Sequence, residues 1–200
     1  PNGLPENTAK LMMYQMLESI KYLHGINIWH RDIKLDNFLV FDSNEERPNV
    51  MLSDFGFAKL FSDGECGTEY IGTPEFAAPE MYLNKPYDKS VDIWSLGIAF
   101  YVMLSCKYPV PSYKSAPKQC TKRILSGNLN YQLLYNLEVP QDAIDLIQNM
   151  CQVNPANRIT AEEALNHPFI ASVHKQTFEG EIAKAIFNAD NNEYEDNVGV

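Results

Sequence analysis

Apolar positions recur with a helical spacing first at Met13, Met16, Leu17, Ile20 and Leu23, which predicts an amphipathic helix over Leu4–Gly25. Pro5 falls in its first turn and Gly25 just past its end, the usual asymmetry of helix termini. Two short apolar runs follow, Phe38–Phe41 and Val50–Leu52, separated by the polar stretch Asp42–Asn49 with Pro48 in it. They read as a small hairpin with a long loop. From Ser53 to Pro79 no period is sustained, and Gly, Pro, Ser and Thr are frequent. A stretch of that length without an element of its own is functional or disordered.

The pattern then changes. Val91–Ser105 is apolar on nearly every face, through Ile93, Trp94, Leu96, Ile98, Ala99, Phe100, Val102, Met103 and Leu104. A helix with no polar face belongs at the centre of a core. Gly97 within it costs about 1 kcal/mol relative to Ala, so close packing against it is expected. Further helices are predicted over Lys118–Ser126, Gln141–Cys151 and Thr160–Asn166, the last with a capping box of Thr160 and Glu163. Phe178–Val200 turns polar and acidic, which predicts a short helix and a frayed tail. The Asp190–Asn192–Tyr194 spacing there lacks the Gly and closing Glu of a calcium loop.

Composition narrows the class. The chain has 200 residues, 45% of them hydrophobic and 21% charged, as in globular domains rather than disordered, collagen-like or coiled-coil chains. With 16 Lys+Arg against 26 Asp+Glu the net charge is −10, which argues against a general nucleic-acid binder or a basic membrane-surface protein. Ile93–Leu104 is too short an apolar run to cross a bilayer. Residues Pro1–Lys10 lack the basic start and apolar core of a signal peptide. The first residue is Pro1, not Met, so the chain is expected to be cut from a longer one. Cys66, Cys106, Cys120 and Cys151 form no C-x-x-C pair, and His24, His30, His167 and His174 complete no zinc spacing. Such cysteines read as reduced thiols in a reducing compartment, here the cytoplasm, with the nucleus as the alternative.

Chemistry concentrates in His30-Arg31-Asp32-Ile33-Lys34-Leu35-Asp36-Asn37, between the first helix and a strand. Asp32, Lys34 and Asn37 supply a carboxylate, an ammonium and an amide. Phosphoryl transfer needs such a set: an acceptor for the nucleophile's proton, a cation for the moving phosphoryl group and an oxygen ligand for Mg²⁺. A charged surface loop would account for the His-Arg-Asp triplet alone. It is accompanied by Asp54-Phe55-Gly56 after the hairpin, by Gly72-Thr73-Pro74-Glu75-Phe76-Ala77-Ala78-Pro79-Glu80, by Asp92-Ile93-Trp94-Ser95-Leu96-Gly97 and by Arg158 ahead of the last short helix.

Together these motifs resemble the C-terminal lobe of a eukaryotic protein kinase of the serine/threonine type, over roughly Leu4 to Ile170. The resemblance implies a mainly α fold with one small β-hairpin and no N-terminal β lobe. It divides the chain into a preceding loop at 1–3, the C-lobe portion of a kinase catalytic domain at 4–170 and an acidic extension at 171–200. It implies that Asp32 is the catalytic base, that Lys34 neutralises the transferring phosphoryl group of ATP, and that Asn37 and Asp54 hold Mg²⁺. Leu39 would floor the adenine, although a plain strand core residue reads the same. Arg31 would reach the activation segment, in which Asp54, Phe55, Gly56, Glu69, Thr73 and Glu80 fall. Thr73 would bond Asp32 and Lys34. Asp92 would bind the backbone at His30 and Arg31, with an ordinary N-cap as the alternative. Glu80 and Arg158 would form a buried bidentate ion pair.

Glu69 lies four residues before Thr73, where many relatives carry a phosphorylated Thr. It would partly replace that phosphate opposite Arg31, or would simply be an exposed Glu on a mobile loop. Tyr70, Pro74 and Ala77 would line the pocket for the residue after the acceptor. The Gly-rich loop, the strand Lys, its partner Glu and the hinge have no counterpart here. The expected function is protein serine/threonine phosphorylation with Mg-ATP, on a protein substrate and together with an N-terminal lobe from the same full-length chain. The alternatives are a non-catalytic kinase-like interaction module and a small-molecule phosphotransferase. Neither nucleic acid nor membrane is expected as a partner, and these 200 residues on their own are expected to be inactive.

Overall fold

The computed structural model describes residues 3–41, 48–171 and 173. Helix α1 is Glu6–Gly25. It starts two residues later than its apolar pattern suggests, because Pro5 takes the N-cap position in an extended conformation (φ −54°, ψ 145°). Gly25 is its last helical residue rather than the one beyond. Ala9, Met13, Met16, Leu17 and Ile20 are fully buried along one stripe, so burial of the amphipathic face stabilises this helix.

Strand β1 is Ile28–Trp29, and β2 (Phe38–Val40) pairs antiparallel with β3 (Val50–Leu52) in the register Phe38↔Leu52, Leu39↔Met51, Val40↔Val50. Alternation sends Phe38 and Leu52 inward, while Leu39 and Met51 stay 46% and 55% exposed. This is the expected hairpin; most of its loop lies outside the described residues. A second two-stranded sheet was not expected. In it β4, Lys59–Leu60, pairs antiparallel with β1 inside the stretch read as irregular. Phe61 beyond it stacks on Trp29 with ring centroids 3.6 Å apart.

The helical base begins with α2, Pro79–Tyr82, and α3, Ser90–Ser105. Every residue of α3 except Ser90 and Val102 is buried, as its all-round apolar sequence requires. Next come α4 (Pro117–Ser126), α5 (Tyr131–Asn136) and α6 (Gln141–Met150), where α5 had no sequence signal and α6 stops one residue short of Cys151. A Cβ on Gly97 would stand 2.7 Å from the Cys151 Sγ and 2.9 Å from the Met150 Cβ, so the glycine lets α3 and α6 touch backbone to side chain. Helix α7, Ala161–Leu165, carries the expected capping box of Thr160 and Glu163. Helix α8, Pro168–Ala171, packs against α1, α6 and α7. The short helix and tail expected beyond Phe178 lie outside the described residues. No helix among the described residues is long and apolar enough to cross a membrane.

Candidate active site

The loop between β1 and β2 is held from below by α3. Asp92, in the first turn of α3 and 1% exposed, accepts from the His30 backbone N–H at 2.9 Å and the Arg31 N–H at 2.8 Å, and lies 3.0 Å from the His24 Nε2. Its carboxylate therefore serves the loop, while the N-cap position of α3 belongs to Lys89. These bonds fix Arg31 in the left-handed region at φ 66°, a conformation that costs an ordinary residue about 1–2 kcal/mol. The turn at Arg31 admits Gly72 beside it: a Cβ on Gly72 would fall 2.5 Å from the Arg31 carbonyl oxygen.

Around that turn the polar groups of the loop close on one carboxylate. The Lys34 ammonium donates to the Asp32 Oδ2 at 2.7 Å and to the Thr73 Oγ1 at 3.2 Å. The Thr73 hydroxyl donates to the Asp32 Oδ1 at 2.8 Å. The Asn37 amide donates to the Asp32 carbonyl at 2.8 Å. Burial by itself raises the Asp32 pKa, but the hydrogen bonds from Lys34 and Thr73, the Lys34 charge and the Asn37 amide outweigh it. The carboxyl lies below its ordinary value and is ionised at neutral pH. An ionised carboxylate has about four lone-pair sites, so Asp32 can still accept a proton.

Asn37 and Asp54 come from different strands' ends and are joined through Ser53. The Ser53 N–H and Oγ–H both donate to the Asn37 carbonyl, at 2.8 and 2.9 Å. Asp54 follows directly in the left-handed region at φ 59°, exposed, with the Gly56 N–H on its Oδ1 at 3.3 Å. The Asn37 amide commits its N–H₂ to Asp32, so its oxygen is the end available to a cation. One amide oxygen and one carboxylate are hard donors that fit Mg²⁺, which takes few protein ligands and fills its octahedron with waters and phosphate oxygens. Among the described residues no group of three or more His, Cys, Asp or Glu could form an all-protein metal cage. Phe55 packs its ring edge-on against His30 at 5.1 Å, which anchors the Asp54-Phe55-Gly56 turn to the loop.

Two ion pairs join the long segment to the rest of the molecule, beside the β1–β4 pairing and the Thr73 bonds. Arg31 donates from Nη1 to the Glu69 Oε2 at 2.8 Å and from Nε to the Phe57 carbonyl at 2.8 Å. Glu80, 5% exposed, pairs with both ends of the Arg158 guanidinium at 2.8 and 3.2 Å. Leu39 lies on the exposed face of the hairpin, outside the core formed by the described residues. Tyr70 is 41% exposed and touches Tyr82 at 5.2 Å, but Ala77 is buried and offers a pocket little surface. Sequence reasoning missed the parts played by Ser53 and His24, which carry no local signal, and named Gly72 only within its motif, without the close approach to Arg31.

Comparison with known proteins agrees with this arrangement. A family model described as the protein kinase domain matches residues 2–170. A calcium/calmodulin-dependent protein kinase type 1 of Macrobrachium nipponense is 36% identical over 166 residues, 83% of this chain and 47% of that protein. A protein of the same name from Caenorhabditis elegans is 34% identical over 166 residues, again 83% of this chain and 47% of that protein. The chain spans about half the length of the curated relatives it matches.

Proposed function

The chain belongs to the protein kinase family, and we propose that it supplies the C-terminal lobe of a catalytic domain that phosphorylates serine or threonine hydroxyls of a protein substrate with Mg-ATP. The observation that carries this reading is the Asp32 carboxylate, ionised and held between the Lys34 ammonium and the Thr73 hydroxyl. A loop carboxylate used only for packing would not need an ammonium and a threonine from 41 positions away to orient it.

Bound Mg-ATP supplies the electrophilic phosphoryl group and the cation that neutralises its oxygens. The chain's own residues do the positioning. Asp32 accepts the proton of the attacking hydroxyl, so that the oxygen can form its new bond to phosphorus as the bond to the leaving phosphate oxygen breaks. Lys34 stabilises negative charge on the transferring group. Asn37 and Asp54 supply the oxygen ligands for the cation. Thr73 orients Asp32 and Lys34 together, and Asp92 fixes the turn on which both stand. Lys34 two residues after the catalytic Asp, and the Gly72–Glu80 segment, support the serine/threonine type.

The test is phosphate transfer by the full-length protein to a Ser/Thr peptide, with radiolabelled ATP and magnesium. Asp32→Asn should abolish transfer while leaving the circular dichroism spectrum unchanged. Equal rates in the two proteins would overturn the assignment of the base.

A further inference from the structure

Between Asp92 and Glu138 the chain carries no carboxylate at all. Residues 93–137 hold Lys107, Lys114, Lys118, Lys122 and Arg123, while the whole chain carries −10. Three of these five cations lie on α4. Lys118 and Lys122 are one turn apart and both exposed, and among the described residues neither has an ion-pair partner. Two ammonium groups at that spacing repel each other. Lys118 also stands in the first turn, where the helix dipole disfavours a cation, and neither an acidic residue nor a side-chain cap relieves it. Neither lysine is thus paired within the described part of the molecule, although the Glu75 carboxylate stands at the Tyr113 end of this face.

The same two lysines line a groove of about 580 Å³ together with Tyr113, Pro117 and Leu125 and the hydroxyl residues Thr121 and Ser126. Tyr113 joins the groove to the segment ahead of α2 and to α2 itself. The Glu75 Oε1 accepts from the Tyr113 N–H at 2.9 Å, and the Tyr113 ring lies 6.4 Å from that of Tyr82. Apolar walls with cations at the rim match a peptide that places an apolar side chain between carboxylates. They match a nucleic-acid backbone or a bilayer less well, because each needs a broad basic surface and the rest of this molecule is acidic.

We propose that the α4 groove is a docking site for an acidic segment of a protein partner, with an apolar side chain seated against Pro117, Leu125 and Tyr113 and flanking carboxylates on Lys118 and Lys122. Binding is read without nucleotide, so its outcome is separate from that of phosphoryl transfer. The probe is a short fluorescein-labelled peptide of glutamates around a Phe-Leu pair, followed by anisotropy. The original protein should bind it with an affinity that falls as salt rises. Lys118→Glu/Lys122→Glu should weaken binding by roughly tenfold or more. A peptide with Gln for every Glu should weaken it similarly, and Lys21→Glu on α1 should not. Both lysines are exposed, so the double variant keeps the fold, and circular dichroism checks this. Unchanged affinity in the double variant, or an equal loss in Lys21→Glu, would overturn the site. So would tighter binding of double-stranded RNA or of phosphatidylserine vesicles than of the peptide, with the same dependence on Lys118 and Lys122.

Discussion

Arg158 reaches Glu80 across 78 positions of sequence and grips it with both arms of its guanidinium, Nη1 to Oε1 at 2.8 Å and Nη2 to Oε2 at 3.2 Å. The remaining donors are satisfied as well. Nη1 also reaches the Ser90 carbonyl at 2.9 Å, and Nε and Nη2 reach the Gln152 carbonyl at 3.1 and 3.0 Å. The guanidinium lies 5.4 Å from the Trp94 ring. A single cation thus ties the end of the long segment, the start of α3 and the loop after α6. With both side chains buried, removing one strands the other. Glu80→Ala or Arg158→Ala should cost about 3–5 kcal/mol in urea unfolding. Arg158→Lys should recover little of that loss, because an ammonium cannot match the two-pronged geometry.

The Arg31–Glu69 ion pair behaves differently. Arg31 is 7% exposed in its side chain but Glu69 is 63% exposed, so their pairing adds at most about 1 kcal/mol to stability. Its consequence lies in where it holds the loop. Glu69→Ala should leave the unfolding midpoint nearly unchanged and lower phosphate transfer by the full-length protein several-fold, with a smaller effect at high salt. An unaltered rate would leave Glu69 as an exposed side chain without a role in positioning.

How much of this was legible in the sequence depended on how far away the deciding partner lies. The core helix α3 was legible because an all-apolar surface needs no particular partner, and the Thr160–Glu163 box because both halves lie within one turn. The His30–Asn37 loop was legible only through its motif; nothing local in it says that Asp92 anchors Arg31 at a positive φ. Strands β1 and β4 were not legible, since two residues carry no period and their pairing is set by the Trp29–Phe61 stack. Helix α5 escaped because a six-residue helix is stabilised by what it packs on, with Leu134 its buried anchor. The late start of α1 after Pro5 reflects a local conformation that a hydrophobic pattern cannot report.

Asp32 gives a pH dependence with a definite sign. Its folded pKa lies below the unfolded value of 3.8, so folding is favoured by the ionised form. That contribution is present in full above the unfolded value and is lost as pH falls through the folded one. Asp32→Asn keeps the shape and removes the titration. The difference in urea midpoint between the original protein and Asp32→Asn should therefore be constant from pH 5 to 7 and change only as pH drops below about 4. A difference that changed most near pH 6 would point to a histidine instead.

The four thiols should separate into two classes. Cys66 and Cys106 are exposed, whereas Cys120 and Cys151 are buried. Burial pushes the Cys120 thiol up to about 11 and the Cys151 thiol up to about 12, the latter in spite of the Arg158 charge. The thiolate is the reactive species, so iodoacetamide at pH 8 should alkylate Cys66 and Cys106 quickly. Cys120 and Cys151 should react only after denaturant is added. Labelling of Cys151 in the folded protein, read by peptide mass spectrometry, would mean that the α3–α6 contact opens readily.

The last expectation concerns the 200-residue polypeptide by itself. Leu39 and Met51 lie opposite each other across β2 and β3 and are 46% and 55% exposed, and Phe41 and Phe55 are 63% and 49% exposed. Large apolar side chains left open to water favour association. Nothing among the described residues faces this surface to grip the phosphates from the other side. Asn37 and Asp54 can offer a cation two oxygens, but phosphoryl transfer depends on holding the phosphate in line with the attacking oxygen. Alone, the polypeptide should self-associate in sedimentation velocity, bind ATP with an affinity at least about a hundredfold below that of the full-length protein, and transfer no phosphate above an Asp32→Asn blank. Charged substitutions at Leu39 and Met51 should restore the monomer without restoring transfer. Turnover above the blank would show that the loop, the hairpin and the Asp54 turn suffice to hold ATP in a reactive position.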